Sequence, residues 1–185
     1  FAIEAAKRFG CRMTSVNLSG EQVKYARARA EKEGVSHLIE FKQMDYRHVD
    51  VDNVKYDKVV SIGMMEHVGH YDYPTFFALA DKALKPDGIC VVHTITSLDQ
   101  KYETYRRYND FIRKYIFPGG NLPSPTALIN AATTASNFTL QHLENFGANY
   151  ARTLHDWRAN FQSNIESIKA LGPQYDDKFL RMWDF

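Results

Sequence analysis

Four short strand-like runs alternate with helix-like segments along the first half of the chain, and this alternation limits its fold more than any other feature. The runs lie at 12–18, 38–41, 57–62 and 89–95. Each has strand length, and Val59-Val60-Ser61-Ile62 has the near-continuous apolar character of a strand buried on both faces. Between them, Ser19-Gly20-Glu21-Gln22 fits a capping box ahead of a helix over 20–33, with Val23, Ala26 and Ala30 on one face. Gly10 and Gly34 read as helix stops, a second helix is predicted over 74–84, and Lys85-Pro86-Asp87-Gly88 has turn composition. Strands and helices joined by short connections predict an α/β fold with a doubly wound, mostly parallel sheet. Such sheets bind ligands at the carboxyl ends of their strands. Those ends carry Asn17, Asp45, 63–66 and 93–95.

The alternation breaks after the fourth run. Residues 98–117 are dense in Tyr, Arg and Lys and are predicted helical, and 118–125 reads as a loop. Together, 98–125 are predicted to form a helical lid inserted into the single domain. A helix over 126–135, a strand over 138–144 and a helix over 151–170 complete the prediction. Both ends read as helices already under way, 1–9 and 179–185, which predicts a piece of a longer protein.

Charge and composition exclude several classes. With 23 Lys and Arg against 22 Asp and Glu, the net charge of +1 argues against a chain built to hold a nucleic acid by bulk charge. Two cysteines cannot make a disulfide framework, which points to a reducing compartment. No apolar stretch nears the roughly 20 residues of a membrane span. The 25 aromatic residues are enough to line an apolar pocket.

The strand ends supply the candidate chemistry. Asn17, between a strand and a helix, suits a ribose contact with Gln22 one turn on; plain helix capping is the other reading. Asp45-Tyr46-Arg47 suits an adenine site or an ordinary polar loop. Glu66 follows the apolar strand and Gly63-Met64-Met65, where a carboxylate is partly desolvated and needs a partner. His93 lies inside an apolar strand near the same end, and two titratable groups at one crevice raise the case for chemistry. Glu66-His67 with His70 lacks the spacing of a helical two-histidine zinc site, so no metal is expected. No G-x-G-x-x-G or P-loop occurs.

Four segments, taken in order, resemble one family. They are 61–69 (Ser-Ile-Gly-Met-Met-Glu-His-Val-Gly), His93-Thr94-Ile95, 114–124 (Lys-Tyr-Ile-Phe-Pro-Gly-Gly-Asn-Leu-Pro-Ser) and 144–157 (Glu-Asn-Phe-Gly-Ala-Asn-Tyr-Ala-Arg-Thr-Leu-His-Asp-Trp). The likeness is to the cyclopropane-fatty-acyl-phospholipid synthases and the mycolic acid cyclopropane synthases, and it runs over nearly the whole chain. It implies a Rossmann-like S-adenosylmethionine-dependent methyltransferase fold whose first strand and Gly-rich loop would precede Phe1. It also implies methylene transfer to a cis double bond of an unsaturated phospholipid acyl chain, with a bound bicarbonate ion as base.

By the same resemblance, the bicarbonate contacts fall on Glu66, His93, the backbone of Ile95, and Tyr150. The cofactor contacts fall on Asn17, Leu18, Ser19 and Gln22, and near Asp45, Tyr46 and Arg47, where Tyr46 replaces an aromatic that is often Trp. The family's bicarbonate-site Cys would lie upstream; Cys11 and Cys90 do not match it, and another Cys associated with activity would lie beyond Phe185. The resemblance implies a cytoplasmic protein associated peripherally with membrane, with a second copy of the chain as a candidate partner. Arg106, Arg107, Arg113 and Lys114 flank aromatics and suit either anionic head groups or a solvated face, the latter favoured. His93 favours ring closure, since some related lipid methyltransferases carry Gln there. The alternatives are methylation of another lipid or an amine without ring closure, and a non-catalytic lipid-binding chain.

Overall fold

The structure, a computed structural model, describes residues 1–184; Phe185, at the end of the helix predicted over 179–185, lies outside the described residues. The described residues form two compact units.

The first unit comprises Phe1–Val59 and Leu79–Cys90. Helix α1 (Ala2–Phe9) stops at Gly10, whose φ of 63° lets its N–H bond the Ala6 carbonyl. Strand β1 (Met13–Asn17) leads into α2 (Gly20–Lys32), and the Ser19 hydroxyl caps α2 by accepting the Gln22 N–H at 3.3 Å. Strand β2 (Ile39–Gln43) then pairs parallel to β1, Met13 opposite Ile39 and Asn17 opposite Gln43. A parallel pair requires a crossover, and α2 supplies it. Ile3, Ala6, Ala30, Val35 and Ile39 are buried together, with Met13 and Phe41 packed against them. On the predicted face of α2, Val23 and Ala30 are buried and Ala26 is half-buried.

Strand β3 (Tyr56–Ile62) is followed by one helical turn, α3 (Met65–Val68), then by α4 (Tyr73–Ala83) and strand β4 (Leu84–His93), which pairs with β3. The predicted turn at 85–88 belongs to β4, which starts directly after α4. The chain is nonetheless tight there: a Cβ on Gly88 would lie 2.9 Å from the Lys85 carbonyl oxygen, so only glycine fits. Among the described residues the four strands form two two-stranded sheets, β1–β2 and β3–β4, and no described strand bridges them. This explains a departure from the expected burial of 57–62. Val60, Ile62, Ile89 and Val91 are all exposed, because a two-stranded ribbon has too few neighbours to cover both of its faces.

The second unit comprises Val60–Ala78 and the described residues from Val91 onward. Its helices are α5 (Asp99–Tyr105), α6 (Pro125–Ala135), α7 (Gly147–Ser163), α8 (Ile165–Lys169) and α9 (Asp177–Asp184), with a π-helical turn at Ile112–Ile116. Met65, Tyr73, Phe76, Phe77, Tyr102 and Leu128 are buried in it. The ends of the 98–125 segment, expected to be an insertion, meet, since the Ser97 N–H donates to the Pro123 carbonyl at 2.8 Å. Inside the insertion the predicted helix is broken between α5 and the π turn. The strand predicted over 138–144 does not form; Leu140 and Leu143 are exposed, and among the described residues no ladder partner takes their backbone groups. The helix predicted over 151–170 divides at Asn164, whose side chain donates to the Asn160 carbonyl at 2.8 Å and so competes with the helical ladder. Among the described residues no helix is long and apolar enough to cross a membrane.

Candidate active site

In the first unit, the candidate cofactor residues gather at the carboxyl edge of the parallel pair. The register sets Asn17 beside Gln43, so the turns after β1 and β2 leave the sheet side by side. Asn17 Oδ1 accepts the Ser19 N–H at 2.8 Å, and Asn17 Nδ2 donates to Gln22 Oε1 at 2.7 Å. Only half of the predicted capping box forms: the Ser19 N–H is already held by Asn17, and Gln22 turns to Asn17 instead. Leu18 is largely exposed. In the next turn the Asp45 carboxylate accepts from the Arg47 backbone N–H at 2.9 Å and from its guanidinium at 3.0 and 2.7 Å. The side-chain and backbone donors of Arg47 hold the Asp45 carboxyl down at about 2. The Tyr46 ring is half-buried beside the same guanidinium, 6.0 Å from ring centroid to its carbon. This edge thus presents an exposed leucine, a prearranged amide pair and an aromatic, which suits a nucleoside. A groove lined by Lys7, Tyr25, Arg29 and Glu33 contains none of these residues.

The second unit holds Glu66. Gly63 turns the chain at the end of β3 with φ 61°, and its N–H donates to the His93 carbonyl at 3.0 Å. The following α3 turn buries Met65 completely and Glu66 almost so, at 8% exposure. Glu66 is held in two places: its Oε1 accepts the Ile95 N–H at 2.8 Å, and its carbonyl accepts the Asn121 N–H at 2.7 Å. Its other carboxylate oxygen, Oε2, is buried with no partner among the described residues, as are Ser61 Oγ and Asn121 Oδ1. An unpartnered buried carboxylate oxygen is costly and calls for a donor.

Of the four residues expected at the base, Glu66 and Ile95 are therefore in direct contact. His93 lies two residues before Ile95, at the strand end tied to Gly63; its ring stacks on Phe146, with centroids 5.5 Å apart, and among the described residues its nitrogens carry no hydrogen bond. Tyr150 sits in the first turns of α7, edge-on to Trp157, and among the described residues is not bonded to the other three. A bicarbonate ion fits part of this arrangement. Its O–H would satisfy Glu66 Oε2 and its oxygens would suit a His93 N–H, whereas the Ile95 N–H is already taken by Glu66.

Several neighbours were not singled out in the sequence. Tyr73 is fully buried, and its hydroxyl donates to the Asn121 carbonyl at 3.4 Å; buried Tyr102 is 2.8 Å from His70 Nδ1. Burial pushes both phenols upward. The only sequence signal for Asn121 was its place in the Pro-Gly-Gly-Asn-Leu-Pro motif. His70 thus faces a tyrosine, and among the described residues no three His, Cys, Asp or Glu side chains gather as a metal site would need. The Cys90 thiol is pushed up to about 11 by burial, which makes it a poor nucleophile. The four cations picked out in the insertion have internal partners: Arg106 and Arg107 bond Glu103, Arg113 bonds three carbonyls, and Lys114 lies over the Tyr115 ring.

The mycolic acid cyclopropane synthetase family model matches residues 1–185. The chain is 36% identical over 182 residues to the tuberculostearic acid methyltransferase UfaA1 of Mycobacterium tuberculosis, covering 98% of this chain and 41% of that protein. It is 36% identical over 180 residues to the cyclopropane-fatty-acyl-phospholipid synthase of Escherichia coli strain K12, covering 97% and 43%. The crystal structure of the mycolic acid cyclopropane synthase CmaA1 complexed with SAH and CTAB superimposes with a TM-score of 0.84 at 28% identity, covering 98% of this chain and 65% of that one. The expected Rossmann-like methyltransferase fold is thereby supported, in a form with short parallel strands. The chain spans about two fifths of the length of the curated relatives it matches.

Proposed function

The chain belongs to the mycolic acid cyclopropane synthetase family, and we propose that it carries the methyl-transfer and proton-removal site of an S-adenosylmethionine-dependent cyclopropane synthase acting on an unsaturated phospholipid acyl chain. The observation that carries this reading is the buried, unpartnered Oε2 of Glu66 beside the strand end of His93 and Ile95. The phospholipid substrate is supported by the name of the Escherichia coli relative, and the cofactor by the SAH complex of CmaA1.

When bound, S-adenosylmethionine supplies an electrophilic methyl group and bicarbonate a base. The chain's own residues do the rest. An alkene is a weak nucleophile, so orientation dominates the first step. The Asn17–Gln22 pair and the Tyr46 ring would hold the nucleoside end of the cofactor. Transfer of that methyl would break its S–C bond as the new C–C bond forms, with S-adenosylhomocysteine leaving, and the aromatic residues would stabilise by their ring faces the positive charge left on the other alkene carbon. A proton then leaves the transferred methyl, its C–H electron pair closes the ring, and Glu66 and His93 would hold the accepting base in place. The bilayer location of the substrate implies peripheral membrane association of a cytoplasmic protein.

A second reading, methylation without ring closure, is favoured by one observation: UfaA1 is named as a methyltransferase. Incubation of the full-length protein with S-adenosylmethionine and vesicles of unsaturated phospholipid separates the two. Acyl chains that gain one CH₂ and lose their double bond support cyclopropane formation. A gain that leaves a methyl branch or a methylene group favours the second reading. No gain in the presence of bound cofactor overturns both.

A further inference from the structure

We propose that Arg113 is a positioning residue for Glu66, acting through the 118–124 segment, and this rests on the reading that Glu66 serves the transfer reaction. The guanidinium of Arg113 is the junction of the insertion. Its Nε donates to the Gly120 carbonyl at 2.9 Å, and its Nη1 donates to the carbonyls of Tyr105 and Tyr108, both at 2.8 Å. The Tyr105 ring lies beneath it, 5.2 Å from the guanidinium carbon. One side chain thus ties together the end of α5, the turn after it and the Pro-Gly-Gly-Asn segment. The planar fork of arginine can reach three carbonyls at once, and charge-assisted bonds of this kind are stronger than neutral ones.

The link to Glu66 is one peptide further on. Gly120, which Arg113 holds by its carbonyl, precedes Asn121, whose N–H fixes the Glu66 carbonyl at 2.7 Å. The carbonyl of Gly120 and the N–H of Asn121 belong to the same peptide plane, so orienting one orients the other. Gly120 is buried, and a Cβ on it would come within 3.1 Å of the Phe117 carbonyl oxygen, so the segment has little room to shift. Glu66 has its backbone fixed through this plane and its carboxylate fixed by Ile95. Loss of Arg113 frees the plane, and the carboxylate loses its aim without losing any atom that touches substrate.

The test uses Arg113→Gln and Arg113→Lys in the full-length protein, with Lys101→Gln as a control for removing an exposed charge from the insertion. Two readouts are taken: amide hydrogen exchange at Asn121 and Ile95, and steady-state methyl transfer to unsaturated phospholipid vesicles. Arg113→Gln is expected to speed exchange at both amides by about tenfold or more. It is also expected to lower kcat on the order of 10–100-fold, with KM for cofactor and lipid within about twofold. Arg113→Lys, which keeps the charge but not the fork, should recover only part of either effect, and Lys101→Gln should show neither. Unchanged exchange at Ile95 and Asn121 in Arg113→Gln overturns the proposal, as does a loss that falls on KM with kcat intact. If Arg113→Gln does not fold, Arg113→Lys decides by the same criteria. A wild-type protein that transfers no methyl group overturns the functional reading alone, and the exchange arm still decides whether Arg113 holds Glu66.

Discussion

The backbone N–H of Ile95 donates to Glu66 Oε1 at 2.8 Å across 29 residues of sequence. This bond turns two separate strand ends into one site. The Gly63 N–H bonded to the His93 carbonyl brings the two ends together, and the Ile95 N–H then selects one oxygen of the Glu66 carboxylate. The other oxygen is left buried and unpartnered. The arrangement sacrifices stability at the place where the proposed reaction would need an acceptor.

Glu66→Gln should therefore separate stability from activity. The amide oxygen can still accept from Ile95, but an NH₂ group replaces the unpartnered oxygen. Methyl transfer to phospholipid vesicles should fall on the order of 100-fold or more. Thermal unfolding should occur at the same temperature or higher, because a buried charge has been removed. A variant that keeps its activity would remove Glu66 from the mechanism.

Gly63→Ala should act through the backbone alone. A Cβ there meets nothing within 4 Å, so the whole cost is that of φ 61°. Urea unfolding should show a loss of about 1–2 kcal/mol. Exchange of the Ile95 amide should quicken in the same variant, since Gly63 sets where Glu66 begins its turn.

Asn17→Ala removes both the bond to the Ser19 N–H and the bond to Gln22. Stability should drop by about 1 kcal/mol. Affinity for S-adenosylhomocysteine, measured by calorimetry, should weaken by about tenfold, equivalent to about 1.4 kcal/mol. Unchanged affinity would assign Asn17 to capping only.

Acid should weaken the turn after β2 in a defined window. Asp45 is held at about 2 by Arg47, below the ordinary carboxylate value near 3.9. A carboxyl lowered on folding stabilises the protein above its unfolded value, and the contribution fades as pH falls toward the folded one. Asp45→Asn should accordingly be less stable than wild type at pH 7. The difference should vanish as pH falls through about 4 to 2 in urea titrations. A difference constant with pH would mean that the Arg47 contact contributes nothing to folding.

Much of this protein was legible without its coordinates. The alternation of strand-like runs and helices determined the α/β class, and the Ser19 cap and the Gly10 stop appear where local chemistry requires them, because both are settled within a few residues. Asn17, Asp45, Glu66 and His93 could be picked out because strand ends in this class are where ligands bind. Tertiary structure alone decided what those residues touch. Among the described residues it split the four strands into two pairs and left Val60, Ile62, Ile89 and Val91 exposed, since burial depends on neighbouring strands and not on a run's own composition. Among the described residues it left 138–144 without a ladder, because a strand exists only where another pairs with it. It turned Arg113 from a candidate surface charge into the clamp of the insertion, and it gave the Ile95 N–H to Glu66. Hydrogen bonds spanning from 5 to 29 residues made the last two of those assignments, and no local pattern encodes which acceptor a donor will meet.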